Sequence, residues 1–210
     1  MTSTRLLSFV ICCSLCGLIY AGEPPQVIAT GEWSKPVADS RNYAIRGRLV
    51  ICEKPQRENL RETPVYLELQ EASDFIGVGM KLFCEMGSYG ARPEHKGGLT
   101  CELRDSKNQL VPSTSFPFGG AVPKSEWVSL PTDATIRLRA TPFGIRRADA
   151  ISLCPYLGAE WTIPDTDQNE YFLSGTFTVD PSSVPAEFEN DHVWRGTLQL
   201  PAVRIVNRPK

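Results

Sequence analysis

Residues 43–51 of this 210-residue chain read Tyr-Ala-Ile-Arg-Gly-Arg-Leu-Val-Ile. Apolar or small residues occupy every second position, and Arg46 and Arg48 stand between them. Because successive side chains of a β-strand point to opposite faces of its sheet, this pattern predicts a strand with one buried face and one solvent-facing side.

The same alternation recurs along the chain, in residues 65–70, 99–104 and 136–140. Turn-forming residues such as Asp105-Ser106-Lys107-Asn108 follow or precede these runs. Short alternating strands joined by Pro- and Gly-rich links predict an all-β fold, an antiparallel two-sheet sandwich with long loops and little helix. Glycines in the middle of three strands, near residues 47, 175 and 196, suggest that these strands lie in one sheet.

One segment has a partly helical pattern. Ile145, Ala148 and Ile151 follow a spacing near 3.6 residues, and Pro155 would end a helix there. We expect at most one or two helical turns between residues 146 and 157.

The first 21 residues predict export. Arg5 precedes a nearly unbroken apolar run from Leu6 to Ala21, which is followed by polar residues. This is the layout of a secretory signal peptide, and the run is short for a membrane span. We therefore expect a single β-sandwich domain over residues 22–210, with its core from about residue 43, in the periplasm or outside the cell. No later apolar run is long enough to predict a transmembrane helix.

The charge balance bears on partners. Lys and Arg number 22 against 24 Asp and Glu, which gives a formal net charge of −2. Nucleic-acid binding generally needs a basic surface that displaces counterions from phosphates, so we expect no nucleic-acid partner. No cofactor motif is apparent, and we expect no cofactor.

Four of the seven cysteines lie after the signal segment: Cys52, Cys84, Cys101 and Cys154. An even number in an exported chain predicts two disulfides, and buried thiols are the alternative. Three pairings are open. Strand parity favours Cys84 with Cys101, which leaves Cys52 with Cys154.

Three segments carry a resemblance: residues 65–73 (VYLELQEAS), 99–112 (LTCELRDSKNQLVP) and 127–138 (WVSLPTDATIRL). In their order and turn chemistry they are similar to the immunoglobulin-like sandwiches of bacterial exported proteins, including the proteinase-inhibitor-like BsuPI domains. The region after Tyr171 resembles uncharacterised exported bacterial proteins. The resemblance implies an immunoglobulin-like fold and no catalytic residues.

Catalytic and metal-binding patterns are sparse. His95 and His192 are the only histidines, and neither lies in a nucleophile motif. Asp165, Asp167 and Asn169 place oxygen atoms at alternate positions, as a calcium loop begins, but the glycine and distal Glu of an EF-hand are missing. We predict no metal centre and keep these three residues as a weak calcium candidate.

Two loops could contact a partner. Phe116 and Phe118 stand in a Pro- and Gly-rich segment, and Phe143 precedes Arg146 and Arg147. Aromatic rings on such loops either cover the core or form a contact patch.

The favoured function is an exported, non-enzymatic binding or structural module of the cell envelope, with a protein or a surface glycan as its partner. Two alternatives stay open: a protease-inhibitor-like sandwich, and a secreted hydrolase with a site built on loops.

Overall fold

A computed structural model describes residues 25–55, 60–73, 80–84, 97–114, 126–140, 146–156, 159–180 and 192–206. This part of the chain is all-β, without a helix, as the sequence predicts. It contains the strands β1 (Gln26–Thr30), β2 (Val37–Ala38), β3 (Ala44–Pro55), β4 (Arg61–Glu62), β5 (Val65–Glu71), β6 (Met80–Cys84), β7 (Gly97–Asp105), β8 (Glu126–Leu130), β9 (Thr135–Arg139), β10 (Arg146–Arg147), β11 (Ala150–Tyr156), β12 (Ala159–Pro164), β13 (Glu170–Val179) and β14 (Gly196–Val206). Within the same ranges, no helix is present that could cross a membrane.

The strands form four antiparallel sheets. A seven-stranded sheet has the order β10-β4-β3-β5-β9, and β1 and β2 also pair with β3. A three-stranded sheet has the order β14-β13-β7. The consecutive strands β11 and β12 form one pair, and β6 and β8, which β7 separates in the chain, form another. The long strand β3 is thus central to the larger sheet, because β1, β2, β4 and β5 all pair with it.

From Ile45 to Leu49 the burial of β3 follows its sequence pattern, and beyond that the outward Val50 and Cys52 are buried as well. Ile45, Leu49 and Ile51 are fully buried on the inner face, and Arg46 and Arg48 are half-buried on the outer face. Inward residues of every sheet join one hydrophobic cluster, which includes Leu82 from β6 and Trp161 from β12. The predicted strands at residues 65–70, 99–104 and 136–140 are confirmed as β5, β7 and β9.

The glycine-bearing strands do not share one sheet. β13 and β14 pair with each other, but β3 lies in the seven-stranded sheet and packs against β14 from across the core. A Cβ atom on Gly47 would stand 3.0 Å from the Cδ2 atoms of Leu198 and Leu200. The absence of a side chain at Gly47 therefore leaves room for two leucines of the opposite sheet. This glycine serves packing between sheets and not the twist of a sheet shared with β13 and β14.

The predicted turns are confirmed where polar side chains bond the backbone. The Asp105 carboxylate accepts hydrogen bonds from the backbone N–H groups of Lys107 and Gln109, at 2.9 and 2.8 Å. Asn108 and Asp133 adopt φ of 62° and 59°, a left-handed conformation that Asn and Asp tolerate. These turns reverse the chain after β7 and before β9.

The helical expectation for residues 146–157 is wrong. This segment forms β10 and β11, and the residues from Ala150 to Pro155 are all buried. A strand that is buried on both faces shows no alternation, so its apolar spacing can imitate a helix. Pro155 lies where the register between β11 and β12 shifts, a place where a missing N–H is tolerated.

Strand pairing begins before residue 43, because β1 and β2 both pair with β3. Ile28, Ala29 and Val37 pack against the core cluster. The predicted signal segment, residues 1–21, lies outside the described residues.

Candidate binding face

The outer face of the seven-stranded sheet carries an ordered group of arginines. In register, Arg48 of β3 stands opposite Glu68 of β5, which in turn stands opposite Arg137 of β9. In flanking rows Arg46 faces Gln70, and Tyr66 faces Arg139. We call these seven residues, together with Trp33, the arginine face.

Glu68 forms the centre of this face. Its side chain is only 5% exposed, and its two oxygens accept hydrogen bonds from different arginines. Arg48 Nε donates to Oε2 at 2.7 Å, and Arg137 donates to Oε1 from Nε at 2.8 Å and from a terminal nitrogen at 2.5 Å. A buried carboxylate is costly unless it is paired, so Glu68 and its two partners hold one another in place.

Arg46 differs because its described hydrogen bonds go to a neutral group. Both its Nε and a terminal nitrogen donate to the amide oxygen of Gln70, at 2.9 and 2.7 Å. Its guanidinium carbon lies 5.3 Å from the ring centre of Trp33, and that of Arg48 lies 4.5 Å from the same ring. One indole thus lies close to two cations, and cation–π attraction stabilises both in this position.

Arg139 lies at the other end of the face. A terminal nitrogen of Arg139 donates a hydrogen bond to the buried Glu62 carboxylate, which stands on β4. The guanidinium of Arg137 lies 5.8 Å from the ring centre of Tyr66. Burial raises the pKa of the Tyr66 hydroxyl, which therefore stays protonated at neutral pH and can donate a hydrogen bond.

The face carries an excess of positive charge. Arg48 and Arg137 share one carboxylate, that of Glu68, and Arg46 adds a third charge whose hydrogen bonds go to the neutral Gln70. Burial lowers the pKa of Arg137, but its hydrogen bond and charge interaction with Glu68 outweigh that effect and raise the pKa above its ordinary value. Arg48 and Arg137 remain 28% and 32% exposed, so their donors reach solvent as well as Glu68. The arrangement can donate several charge-assisted hydrogen bonds to an anionic ligand.

The loop residues chosen from the sequence are only partly described. Phe116, Phe118 and Phe143 lie outside the described residues. Arg146 and Arg147 form the exposed edge strand β10, which pairs with β4, and Arg147 lies 3.3 Å from the Glu160 carboxylate. The structure thus places the last two on the same sheet as the arginine face, with β4 between them and β3.

The weak calcium candidate forms a turn whose oxygens are engaged. Asp165 forms an ion pair with Arg61, and Asp167 accepts hydrogen bonds from the Asn169 N–H at 2.8 Å and from the Tyr171 hydroxyl at 2.6 Å. The Tyr171 bond is the main reason why the pKa of Asp167 is lowered. Within the described ranges no group of three or more His, Cys, Asp or Glu residues could hold a metal ion.

The predicted disulfides are not formed. Cys52 and Cys101 are buried free thiols, so neither the Cys84–Cys101 pair nor the Cys52–Cys154 pair is present. The Cys84 side chain lies outside the described part of the chain. Desolvation raises the pKa of the Cys52 and Cys101 thiols. Cys101 packs in the space that Gly175 leaves, because a Cβ there would lie 3.2 Å from its sulfur. These cysteines fill the core as small apolar side chains.

A second polar cluster lies between the larger sheet and the β11-β12 pair. The buried Glu160 carboxylate accepts a hydrogen bond from the Ser152 hydroxyl at 2.6 Å and from the Thr162 hydroxyl at 3.1 Å. The Thr63 hydroxyl donates to the Ser152 backbone oxygen and accepts from its N–H. Because Ser152, Thr63 and Glu160 are all buried, the cluster joins β12, β11 and the segment after β4 rather than facing a substrate.

A groove of about 740 Å³ lies along the three-stranded sheet. Its lining mixes hydroxyl and amide groups, such as Thr100, Thr176 and Gln199, with the apolar Leu110 and Pro112. The Thr176 hydroxyl donates a hydrogen bond to the Gln199 amide oxygen at 2.9 Å, and the charged residue of the lining is Glu102, which pairs with Arg104.

No protein-family model, no curated protein and no solved structure matches this chain. The geometry of the arginine face is therefore the main guide to function.

Sequence reasoning did not select this face, although its signal is present. Arg-x-Arg occurs at the outward positions of both β3 and β9, and Glu-x-Gln occurs at those of β5. Two strands with the same outward cationic pattern are a stronger sign of a shared surface than the isolated phenylalanines were.

Proposed function

We propose that this chain is an exported, non-enzymatic binding module of the cell envelope or exterior, which holds an anionic partner on its arginine face. One observation carries the proposal: on the outer side of a central sheet, Arg48 and Arg137 share the buried carboxylate of Glu68, and Arg46 stands on the same side of β3 as Arg48 with the uncharged Gln70 as its hydrogen-bond partner. Export is supported by the basic and apolar pattern of the first 21 residues.

The rigidity of the face favours binding over a purely structural role. Apart from Trp33, which lies between β1 and β2, its side chains stand on β3, β5 and β9, and these strands pair over several consecutive residues. Arginine side chains that are already held in place lose less conformational freedom when they bind a ligand. Trp33 and Glu68 supply that support, while part of each guanidinium stays accessible.

The proposal extends to the family. The strand–turn–strand pattern around residues 99–112 supports membership of the immunoglobulin-like exported bacterial proteins. In these sandwiches the fold is a scaffold and the function depends on the surface that it carries.

A retention experiment tests the proposal. Fluorescently labelled protein is mixed with isolated cell envelopes and washed at increasing salt concentration. We expect retention that salt weakens, that Arg46→Gln reduces and that Arg204→Gln leaves unchanged, because Arg204 stands on β14 of the other sheet and pairs with Glu170. Equal retention of wild-type protein and Arg46→Gln would exclude the arginine face as the binding surface.

A further inference from the structure

We infer that the partner of the arginine face is an acidic glycan, a polysaccharide whose sugars carry carboxylate or sulfate groups. The inference rests on the proposed function and names its ligand class. It follows from the shape of the donors, from the mixture of polar groups and from the position of the apolar side chains.

The donors suit planar or multidentate anions. A guanidinium presents parallel N–H groups that match two oxygens of one carboxylate or sulfate. The contacts of Arg46 and Arg48 with Trp33 help to hold both guanidinium groups in position before a ligand arrives. Arg46 has the simplest role, since its described hydrogen-bond partner is the uncharged Gln70 and its own charge is available to a ligand.

The spacing of the donors suits a chain molecule. Outward residues two apart on a strand, such as Arg46 and Arg48, have Cα atoms about 7 Å apart. Arg48 and Arg137 stand on strands about 10 Å apart, but their donors lie closer than that, because both bond the carboxylate of Glu68. A polymer with anionic groups at intervals can therefore contact more than one guanidinium. The amide of Gln70 and the hydroxyl of Tyr66 add neutral groups that can bond sugar hydroxyls.

Other polyanions fit less well. A nucleic acid presents a dense line of phosphates, whereas this face has a carboxylate at its centre and the whole chain has a net charge of −2. Anchoring to an anionic membrane generally needs apolar side chains beside the basic ones. Among the described residues of this side of the sheet, Val27 is the one large apolar side chain that is exposed.

A protein partner also fits less well. The buried centre of a protein interface is usually depleted of charge and rich in apolar contacts. The centre of the arginine face is instead the ion-paired group of Arg48, Glu68 and Arg137. A hydrated, hydroxyl-bearing ligand can cover such a centre without removing all of its water.

The test measures affinity for defined oligosaccharides by calorimetry. The ligands are an oligogalacturonate, its methyl-esterified neutral form and a sulfated chondroitin oligosaccharide of similar length. We expect binding of at least one acidic ligand, and at least tenfold weaker binding of the neutral form, because charge-assisted hydrogen bonds are lost. Tighter binding of the oligogalacturonate assigns carboxylate as the preferred group. Tighter binding of the chondroitin, whose sugars carry carboxylates as well as sulfates, shows that sulfate adds to the affinity.

Variants link that binding to the face. Arg46→Gln should weaken binding about tenfold, and Arg46→Lys should weaken it less, because lysine keeps the charge but loses the planar pair of donors. Arg204→Gln should bind like the wild type. Each variant is first shown to have the wild-type urea midpoint, so that a loss of affinity reports the ligand contact and not unfolding.

Two results would overturn the inference and differ in what they leave standing. In the first, none of the three oligosaccharides binds, but Arg46→Gln abolishes retention on cell envelopes and a purified envelope protein binds in an Arg46-dependent way. The ligand class is then wrong and the proposed function stands. If retention does not depend on Arg46 either, both are wrong. Equal affinity of Arg46→Lys and wild type would refute the role of the planar donors.

Discussion

Replacing Gly47 with alanine tests how the two main sheets pack. The added Cβ would stand 2.9 Å from Leu69 Cδ2 and 3.0 Å from the Cδ2 atoms of Leu198 and Leu200. Carbon atoms in contact prefer separations of about 3.5–4.0 Å, so three methyl groups would each have to move by about 0.5–1 Å. Leu69 and Leu198 are fully buried and Leu200 is 3% exposed, so these methyl groups cannot turn towards solvent.

The expected cost follows from two opposing effects. Inserting a carbon into a packed core costs about 1–3 kcal/mol. Replacing glycine also restricts the unfolded chain, which stabilises the folded state by about 0.4–1 kcal/mol. We therefore expect Gly47→Ala to lower the free energy of unfolding by about 1–2 kcal/mol, which for a chain of this length lowers Tm by about 2–8 °C.

Urea denaturation followed by tryptophan fluorescence measures this change. A second variant, Leu198→Val, shortens one of the three crowded side chains, and the double variant tests whether the two sites interact. We expect Gly47→Ala to cost less in the Leu198→Val background, with a coupling of about 0.5–1.5 kcal/mol. A stability equal to or above that of the wild type, or the same cost in both backgrounds, would refute the packing of β14 on β3 at this glycine.

Three further predictions concern charge and thiols. Glu68→Gln leaves two partly exposed arginines without their shared carboxylate. We expect the free energy of unfolding, measured by urea denaturation, to fall by about 1–2 kcal/mol. An unchanged free energy of unfolding would contradict the central role of Glu68. Tyr171→Phe removes the hydrogen bond that is the main cause of the lowered pKa of Asp167. A carboxylate with a lowered native pKa stabilises the folded state at pH values above its unfolded pKa, and this contribution is lost as the pH falls through the native pKa. The variant should therefore be less stable than wild type at pH 7, and the difference in urea midpoint should narrow at pH 3; a gap that stays constant would contradict the coupling. Burial raises the pKa of the Cys52 and Cys101 thiols, so iodoacetamide should label them slowly in native protein and fully in urea without reductant; resistance to labelling in urea would instead indicate disulfides.

The core strands could be predicted because alternation is a local property. In β3, β5, β7 and β9, one face is buried and the other meets mainly solvent or polar side chains. The alternation of apolar and polar residues in each strand therefore indicates which residues point inward. The pattern fails where that contrast is missing. Residues 150–155 of β11 are buried on both sides of the strand, and the sequence there predicts a partly helical segment instead.

The cysteines and the glycines show a different limit. Parity correctly indicates that Cys101 points into the core, but a disulfide needs a second sulfur at the right separation, and that depends on which strands become neighbours. Similar mid-strand glycines suggested one shared sheet, whereas β3 lies across the core from β13 and β14.

The arginine face shows both contributions. The sequence by itself determined that Arg46, Arg48 and Arg137 point to the outer side of their strands, because a strand's two faces follow from the order of its residues. Only the tertiary structure decided that β5 lies between β3 and β9, which places Glu68 between two of these arginines. Side-chain direction is set within a few residues, but strand order depends on pairings across long stretches of chain, and these are selected by how the whole core packs.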